Sequence, residues 1–87
     1  MKLNENFILR QVADTWVVLP VGQQSVDFNG ILTLNEPGAL LWKTLEQWSD
    51  REALADALLA EYEVDRATAL ADVDEFLAKL NDIGCLA

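Results

Sequence analysis

The sequence predicts an α+β domain of the winged helix-turn-helix type, with three N-terminal β-strands followed by three α-helices. β-branched and aromatic residues dominate the first third of the chain, and leucines at helical spacing dominate the rest. The connections between these segments are short, which suits neighbouring elements that pack directly on one another. With 87 residues the chain can build one small core but not two. We therefore expect a single domain over residues 1–87.

Strands are predicted at about 7–13, 15–20 and 26–34. The densest β-forming run is Trp16–Leu19, which Pro20 and Gly22 close. Asn29-Gly30 is a strong turn signal, because a type I′ turn needs positive φ at both central residues. The pattern leaves open whether Val26–Phe28 pairs with the segment after this turn or only leads into it.

Helices are predicted at about 36–48, 50–62 and 66–83, each with a start signal. The candidate caps are Asn35 or Glu36 for the first helix, Ser49 with Glu52 in a capping box for the second, and Asp65 for the third. Pro37 fits the first turn of its helix, where a missing N–H costs little. Gly84 is expected to end the third helix in a left-handed conformation.

Apolar residues at helical spacing predict which face of each helix enters the core. The predicted stripes are Leu41, Leu45 and Trp48 on the first helix, Leu54, Leu58 and Tyr62 on the second, and Leu70, Val73, Leu77 and Leu80 on the third. Ala69, Asp72, Phe76, Lys79 and Ile83 fall on the flank beside the third stripe. Trp16, Trp42 and Trp48 are all expected in the core.

The net charge of −9 excludes several classes of function. Residues 35–87 carry a net charge of −8, and the isoelectric point is near 4.1. Binding to nucleic acid or to an anionic membrane surface needs cationic contacts with phosphate, so neither is expected. The longest apolar run is Trp16–Val21, far short of the about 20 residues of a membrane span.

The residue types that most catalysis requires are scarce. There is no histidine, so Ser25, Ser49 and Cys85 have no imidazole base to activate them. Asp72 and Glu75 share one side of a helix, but a metal site needs more ligands. We expect no enzyme activity, no metal and no cofactor. A single cysteine fits a reducing compartment, and we expect a cytoplasmic protein.

Three segments, in order, resemble the PqqD family. The first is DFNGILTLNEPGALLW at positions 27–42, at the junction of the third strand and the first helix. AEYEV follows at 60–64, and then Asp72-Val73-x-x-Phe76-Leu77-x-x-Leu80. The resemblance covers about Phe7 to Leu86. Pro37 departs from the small polar residue that the family usually carries there, which stiffens the first helical turn and alters the local surface.

The resemblance implies a recognition element for ribosomally synthesised, post-translationally modified peptides. Such domains bind the leader of a precursor peptide and present it to a modifying enzyme, often a radical S-adenosylmethionine protein. The leader adds as a strand to the third β-strand and packs against the third helix. Because the resemblance is to the wider family, it favours another peptide pathway over synthesis of pyrroloquinoline quinone.

Projected onto this sequence, the resemblance implies a peptide site on the third strand and the third helix. Its expected residues are Ile31, Leu32, Thr33, Leu34, Ala69, Asp72, Val73, Phe76, Lys79 and Leu80. Ile31–Leu34 has neither proline nor charge to block strand addition. On periodicity alone this strand could equally lie in mid-sheet, and Phe76 could be a core residue.

The sequence is also compatible with two other interpretations. A winged fold can serve as a protein–protein scaffold that has no part in peptide modification, because fold does not fix function. An open strand edge could also pair with a second copy of the chain. A DNA-binding winged helix is disfavoured, since the third helix has only Arg66 and Lys79 against five acidic residues.

Overall fold

A computed structural model describes residues 1–21 and 32–86. Within them, three antiparallel strands precede three helices, which confirms the predicted α+β fold. The elements are β1 (Phe7–Val12), β2 (Thr15–Pro20), β3 (Leu32–Leu34), α1 (Glu36–Leu45), α2 (Arg51–Glu61) and α3 (Arg66–Asp82). The start of the predicted third strand and the Asn29-Gly30 turn lie outside the described residues.

The sheet has the order β1-β2-β3. β1 and β2 form a hairpin whose last pair is Val12 with Thr15, so the turn has two residues. Its first residue, Ala13, has a φ of 56°, which an L-residue adopts at some cost. β2 continues the sheet by pairing with β3, where Trp16 lies opposite Leu34. Among the described residues β3 pairs with β2 alone, so β3 is an edge strand of the described sheet.

The core lies between one face of the sheet and the helices. α1 packs on β3 and α2, and α2 packs on α3. The largest fully buried side chain is that of Trp42, in α1. Trp16 is half-buried and contacts α1 through polar groups: its indole Nε1 donates to Glu36 Oε1 at 3.2 Å, and Lys43 Nζ lies 4.1 Å from the ring centre. No helix within residues 1–21 and 32–86 has both the length and the apolar character that crossing a bilayer requires.

The predicted core position of Trp48 is wrong. α1 ends at Leu45, three residues before the predicted end, and the Trp48 side chain is 70% exposed. The physical reason lies in the next residue, since Ser49 donates its backbone N–H to Met1 O and accepts from the Met1 amino group. This pairing holds Ser49 in a connection between helices, and a continuous α1 could not pass through it.

The predicted Ser49–Glu52 capping box is also absent from the start of α2. Asp50 is the cap, because its carboxylate accepts a hydrogen bond from Ala53 N at 2.8 Å. Glu52 instead forms an ion pair with Arg66 at the start of α3. At the other end of α2, Tyr62 is the C-terminal cap and is 37% exposed, so it does not continue the core stripe. The caps predicted at Asn35 and Asp65 are confirmed.

The buried face of α3 is rotated from the predicted one by about 50°, at 100° per residue. The buried residues are Ala69, Val73, Phe76 and Leu80, whereas Leu70 and Leu77 are half-buried. Ala69 and Phe76 were expected on the flank. The rotation brings the aromatic ring of Phe76 inward. Burial of an aromatic side chain stabilises the fold more than burial of a leucine, because it removes more apolar area from water.

The end of α3 is a Schellman motif. Gly84 has a φ of +80°, as predicted for it, and its N–H bonds to Asn81 O. Cys85 N bonds to Leu80 O at 2.9 Å, which satisfies a carbonyl of the last helical turn. The Cys85 side chain is fully buried, and burial raises the pKa of its thiol to about 11. The Cys85 carbonyl accepts from Asn4 N, so this motif also joins α3 to the N-terminal segment.

We expect Gly84→Ala to lower the free energy of unfolding by about 1 kcal/mol. No atom lies within 4 Å of the position of an added Cβ, so the cost comes from the positive φ and not from a clash. Chemical denaturation followed by circular dichroism measures it. Gly84→Asn is the control, because asparagine tolerates this conformation better than alanine. Equal losses for the two variants would contradict the assignment.

Candidate functional site

An open groove with a volume of about 580 Å³ lies between β3 and α3. Its apolar lining includes residues from four of the elements around it: Leu34 of β3, Leu41 of α1, Leu58 of α2 and Phe76 of α3. Polar side chains form its rim. These are Asp14 and Thr15 from the β1–β2 hairpin and Asp72, Glu75 and Lys79 from α3. The arrangement offers an apolar base, an acidic rim and a strand edge in one place.

The strand wall of the groove ends in a close approach between β3 and α1. Gly38 N donates to the Asn35 side chain at 2.9 Å, which caps α1. A Cβ at Gly38 would lie 3.1 Å from Asn35 Oδ1 and 3.3 Å from Leu34 Cβ. Glycine therefore lets the first turn of α1 sit tightly against the end of β3. Pro37, the residue that departs from the family pattern, lines the groove beside it.

The helix wall is built by residues at positions 72, 75, 76 and 79, which share one face of α3 at i, i+3, i+4 and i+7. Phe76 is 7% exposed and belongs to the core, yet its ring also lines the groove. Asp72, Glu75 and Lys79 are exposed. One residue thus serves both the core and the groove, and its three charged neighbours remain open to a ligand.

The structure brings five of the predicted site residues together in the groove: Thr33, Leu34, Asp72, Phe76 and Lys79. Ala69, Val73 and Leu80 are fully buried in the core and do not line it. Leu32 is half-buried in β3 and is not among the lining residues either. Ile31 lies outside the described residues.

Eight lining residues were missed by the sequence prediction: Asp14, Thr15, Asn35, Pro37, Gly38, Leu41, Leu58 and Glu75. Glu75 could have been found, because it follows Asp72 by three residues on the same helix. The others come from different elements, and helical or strand periodicity does not say which elements meet around a groove.

Ion pairs on a different flank of α3 join it to α2. Arg51 binds both carboxylate oxygens of Asp74, at 2.6 and 2.8 Å, and this hydrogen bonding lowers the pKa of Asp74. Arg66 pairs with Glu52 and with Asp56. The two arginines of this region therefore neutralise acids outside the groove. Residues 1–21 and 32–86 hold no cluster of three or more His, Cys, Asp or Glu side chains suited to a metal ion.

The family model for Coenzyme PQQ synthesis protein D (PqqD) matches residues 15–86 of this sequence. The chain belongs to the PqqD family. The match spans β2, β3 and all three described helices, so it includes most of the residues around the groove. It also confirms the resemblance that the sequence motifs indicated.

Two solved structures share the fold of this PqqD-family chain. TbiB1 in complex with the TbiA(beta) leader peptide superposes with a TM-score of 0.80 at 30% sequence identity, covering 99% of this chain and 94% of that one. Lasso peptide synthetase B1 complexed with the leader peptide gives a TM-score of 0.76 at 25% identity, covering 97% and 93%. A search of curated proteins gave no match. Both structures therefore show this fold in the presence of a leader peptide.

Proposed function

We propose that this PqqD-family chain is a non-catalytic adaptor that binds the leader of a ribosomally synthesised precursor peptide and presents it to a modifying enzyme. The observation that carries the proposal is the groove between a strand edge and α3, in a fold shared with two proteins whose structures contain leader peptides. Both partners, the precursor peptide and the enzyme, are part of the proposal.

The strand edge supports binding of an extended peptide. Of the described residues, those of β3 pair with β2 on one side, which leaves backbone N–H and C=O groups on the other. An added peptide strand would satisfy them and lie about 4.8 Å from β3. These backbone bonds give affinity for any extended sequence. Specificity must then come from side chains of the groove.

The groove supplies those side-chain contacts. Alternate residues of a strand point to opposite faces, so every second peptide side chain would point toward α3. There the apolar surface of Leu34, Leu41 and Phe76 can cover an apolar side chain. The groove volume of about 580 Å³ is within the range of roughly 300–1,000 Å³ that ligand pockets occupy.

The identity of the enzyme rests on family resemblance alone. We propose a radical S-adenosylmethionine protein, since such enzymes often work with domains of this family, and a cytoplasmic location for the complex. Residues 1–87 would act as one recognition domain. The peptide-contact residues that we propose are those of the groove, together with the backbone of Leu32–Leu34 and of Ile31.

A titration followed by ¹⁵N NMR tests the proposal. The probe is the TbiA(beta) leader peptide, with a scrambled peptide of the same composition as its control. We expect amide shifts at Thr33 and Leu34 and along the groove face of α3, but not around Asp74 on its other flank. A short peptide encoded beside this gene should give the same pattern with higher affinity.

Two outcomes would contradict the adaptor proposal. If neither the TbiA(beta) leader nor the peptide encoded beside this gene shifted any amide signal, the proposed peptide binding would be wrong. Shifts centred on the exposed Trp48 would place the contact on another surface and favour a protein–protein scaffold.

A further inference from the structure

We propose that the groove selects peptides carrying a basic residue two positions from their apolar anchor, on the same face of the peptide strand, and that Asp72 and Glu75 make this selection. The inference rests on the proposed function and adds the chemical class of the peptide. It concerns specificity within the groove, because the strand edge and the apolar base of the groove can accept many extended sequences.

The acids of the groove differ from other acids of α2 and α3 in how they are paired. In the part of the chain that the structure describes, the ion pairs of Arg51 and Arg66 involve Glu52, Asp56 and Asp74, all outside the groove. The groove carboxylates of Asp14, Asp72 and Glu75 form none with a described residue. Three acids and one lysine therefore give the rim a net negative charge that a bound peptide can compensate.

The charged residues of the helix wall lie on different sides of Phe76 along α3. Asp72 and Glu75 precede the aromatic ring along α3, and Lys79 follows it by three residues. At 1.5 Å per residue, Lys79 is about 10 Å further along the helix axis than Asp72. The acidic part of this wall is thus on the N-terminal side of Phe76. A peptide with an apolar side chain over Phe76 would place a basic residue there if that residue were two positions away, because residues i and i+2 of a strand point to the same face.

Binding would strengthen this attraction. Asp72 and Glu75 are exposed in the free protein, where water screens them. A peptide strand added beside β3 would cover part of the rim and exclude water from it, so the local dielectric constant would fall. Even a rim ion pair that stays largely exposed changes affinity by about two- to fivefold.

Selection from a displayed library of random 15-residue peptides tests the inference without a known ligand. The library is sorted on the wild-type protein, on Asp72→Asn/Glu75→Gln, and on Glu5→Gln/Glu46→Gln. The Glu5→Gln/Glu46→Gln control has the same net charge as the groove variant. Its two substituted residues line a separate cavity of about 370 Å³ beside β1. Wild type and control should enrich Lys or Arg two positions from a recurrent apolar residue, and the groove variant should not.

A charge reversal gives a direct check. For the best selected peptide, Lys→Glu should weaken binding to wild type by about tenfold, and Asp72→Lys should recover most of that loss. The inference would be overturned if the selected peptides shared an apolar motif without a basic preference and competed with each other for the groove. The adaptor function would then still stand, because these peptides bind at the proposed site. If no selected peptide perturbs groove amides, the adaptor function fails, and the inference fails with it.

Discussion

Phe76→Ala should weaken binding of a leader peptide by at least tenfold and lower the free energy of unfolding by about 3–5 kcal/mol. Both effects have one cause, since the ring is 7% exposed in the core and its remaining surface lines the groove. Stability is measured by urea denaturation and affinity by calorimetry with a peptide that binds wild type. Because this loss is a large part of a total stability on the order of 5–10 kcal/mol, affinity is measured under conditions where circular dichroism shows the variant to be folded.

Val73→Ala is the matched control for this substitution. Val73 lies one turn earlier on α3, is fully buried and does not line the groove. Its truncation should cost about 2 kcal/mol of stability and leave affinity within twofold of wild type when the protein is folded. If both variants lost affinity in proportion to their stability, the ring of Phe76 would act through the fold and not through contact with the peptide.

Trp42→Ala should be the most destabilising single truncation in α1, at about 3–5 kcal/mol. The Trp42 side chain is 1% exposed and is the largest fully buried side chain described. Its removal leaves a cavity between the sheet and the helices that neighbouring side chains can only partly fill. Thermal and urea denaturation followed by circular dichroism give the change without relying on tryptophan fluorescence.

Trp48→Ala provides the comparison, because it removes the same side chain and both tryptophans were expected in the core. Trp48 is 70% exposed, so its truncation should change stability by less than about 0.5 kcal/mol. A loss of several kcal/mol at Trp48 would show that the chain buries this ring in solution and that α1 extends further than Leu45.

Local signals in the sequence predicted the elements and several of their ends. Asn35 and Asp65 cap helices as expected, because a side chain that bonds a nearby backbone N–H needs only local geometry. Gly84 ends α3 for the same kind of reason, since its positive φ is a property of one residue. The order of strands and helices followed from periodicity, which reports burial along a single element.

Two of the failed predictions involve contacts between distant parts of the chain. The end of α1 is set by Met1 pairing with Ser49, which no feature around Trp48 indicates. Glu52 was assigned to a cap because its spacing fits one, but Arg66 at the next helix is its partner. The groove shows the same limit, because Leu41 and Leu58 line it only where three helices and a strand meet.

The two-residue turn between β1 and β2 has a consequence for how such a groove could diversify. Ala13, Asp14 and Thr15 are exposed, and Asp14 and Thr15 line the groove. Phe76 on the facing wall is committed to the core, so most substitutions there would damage the fold. The exposed residues of the hairpin tip do not belong to the core, so the tip can change in sequence or length at little cost to stability. New peptide preferences can therefore evolve from the turn while Phe76 stays constant.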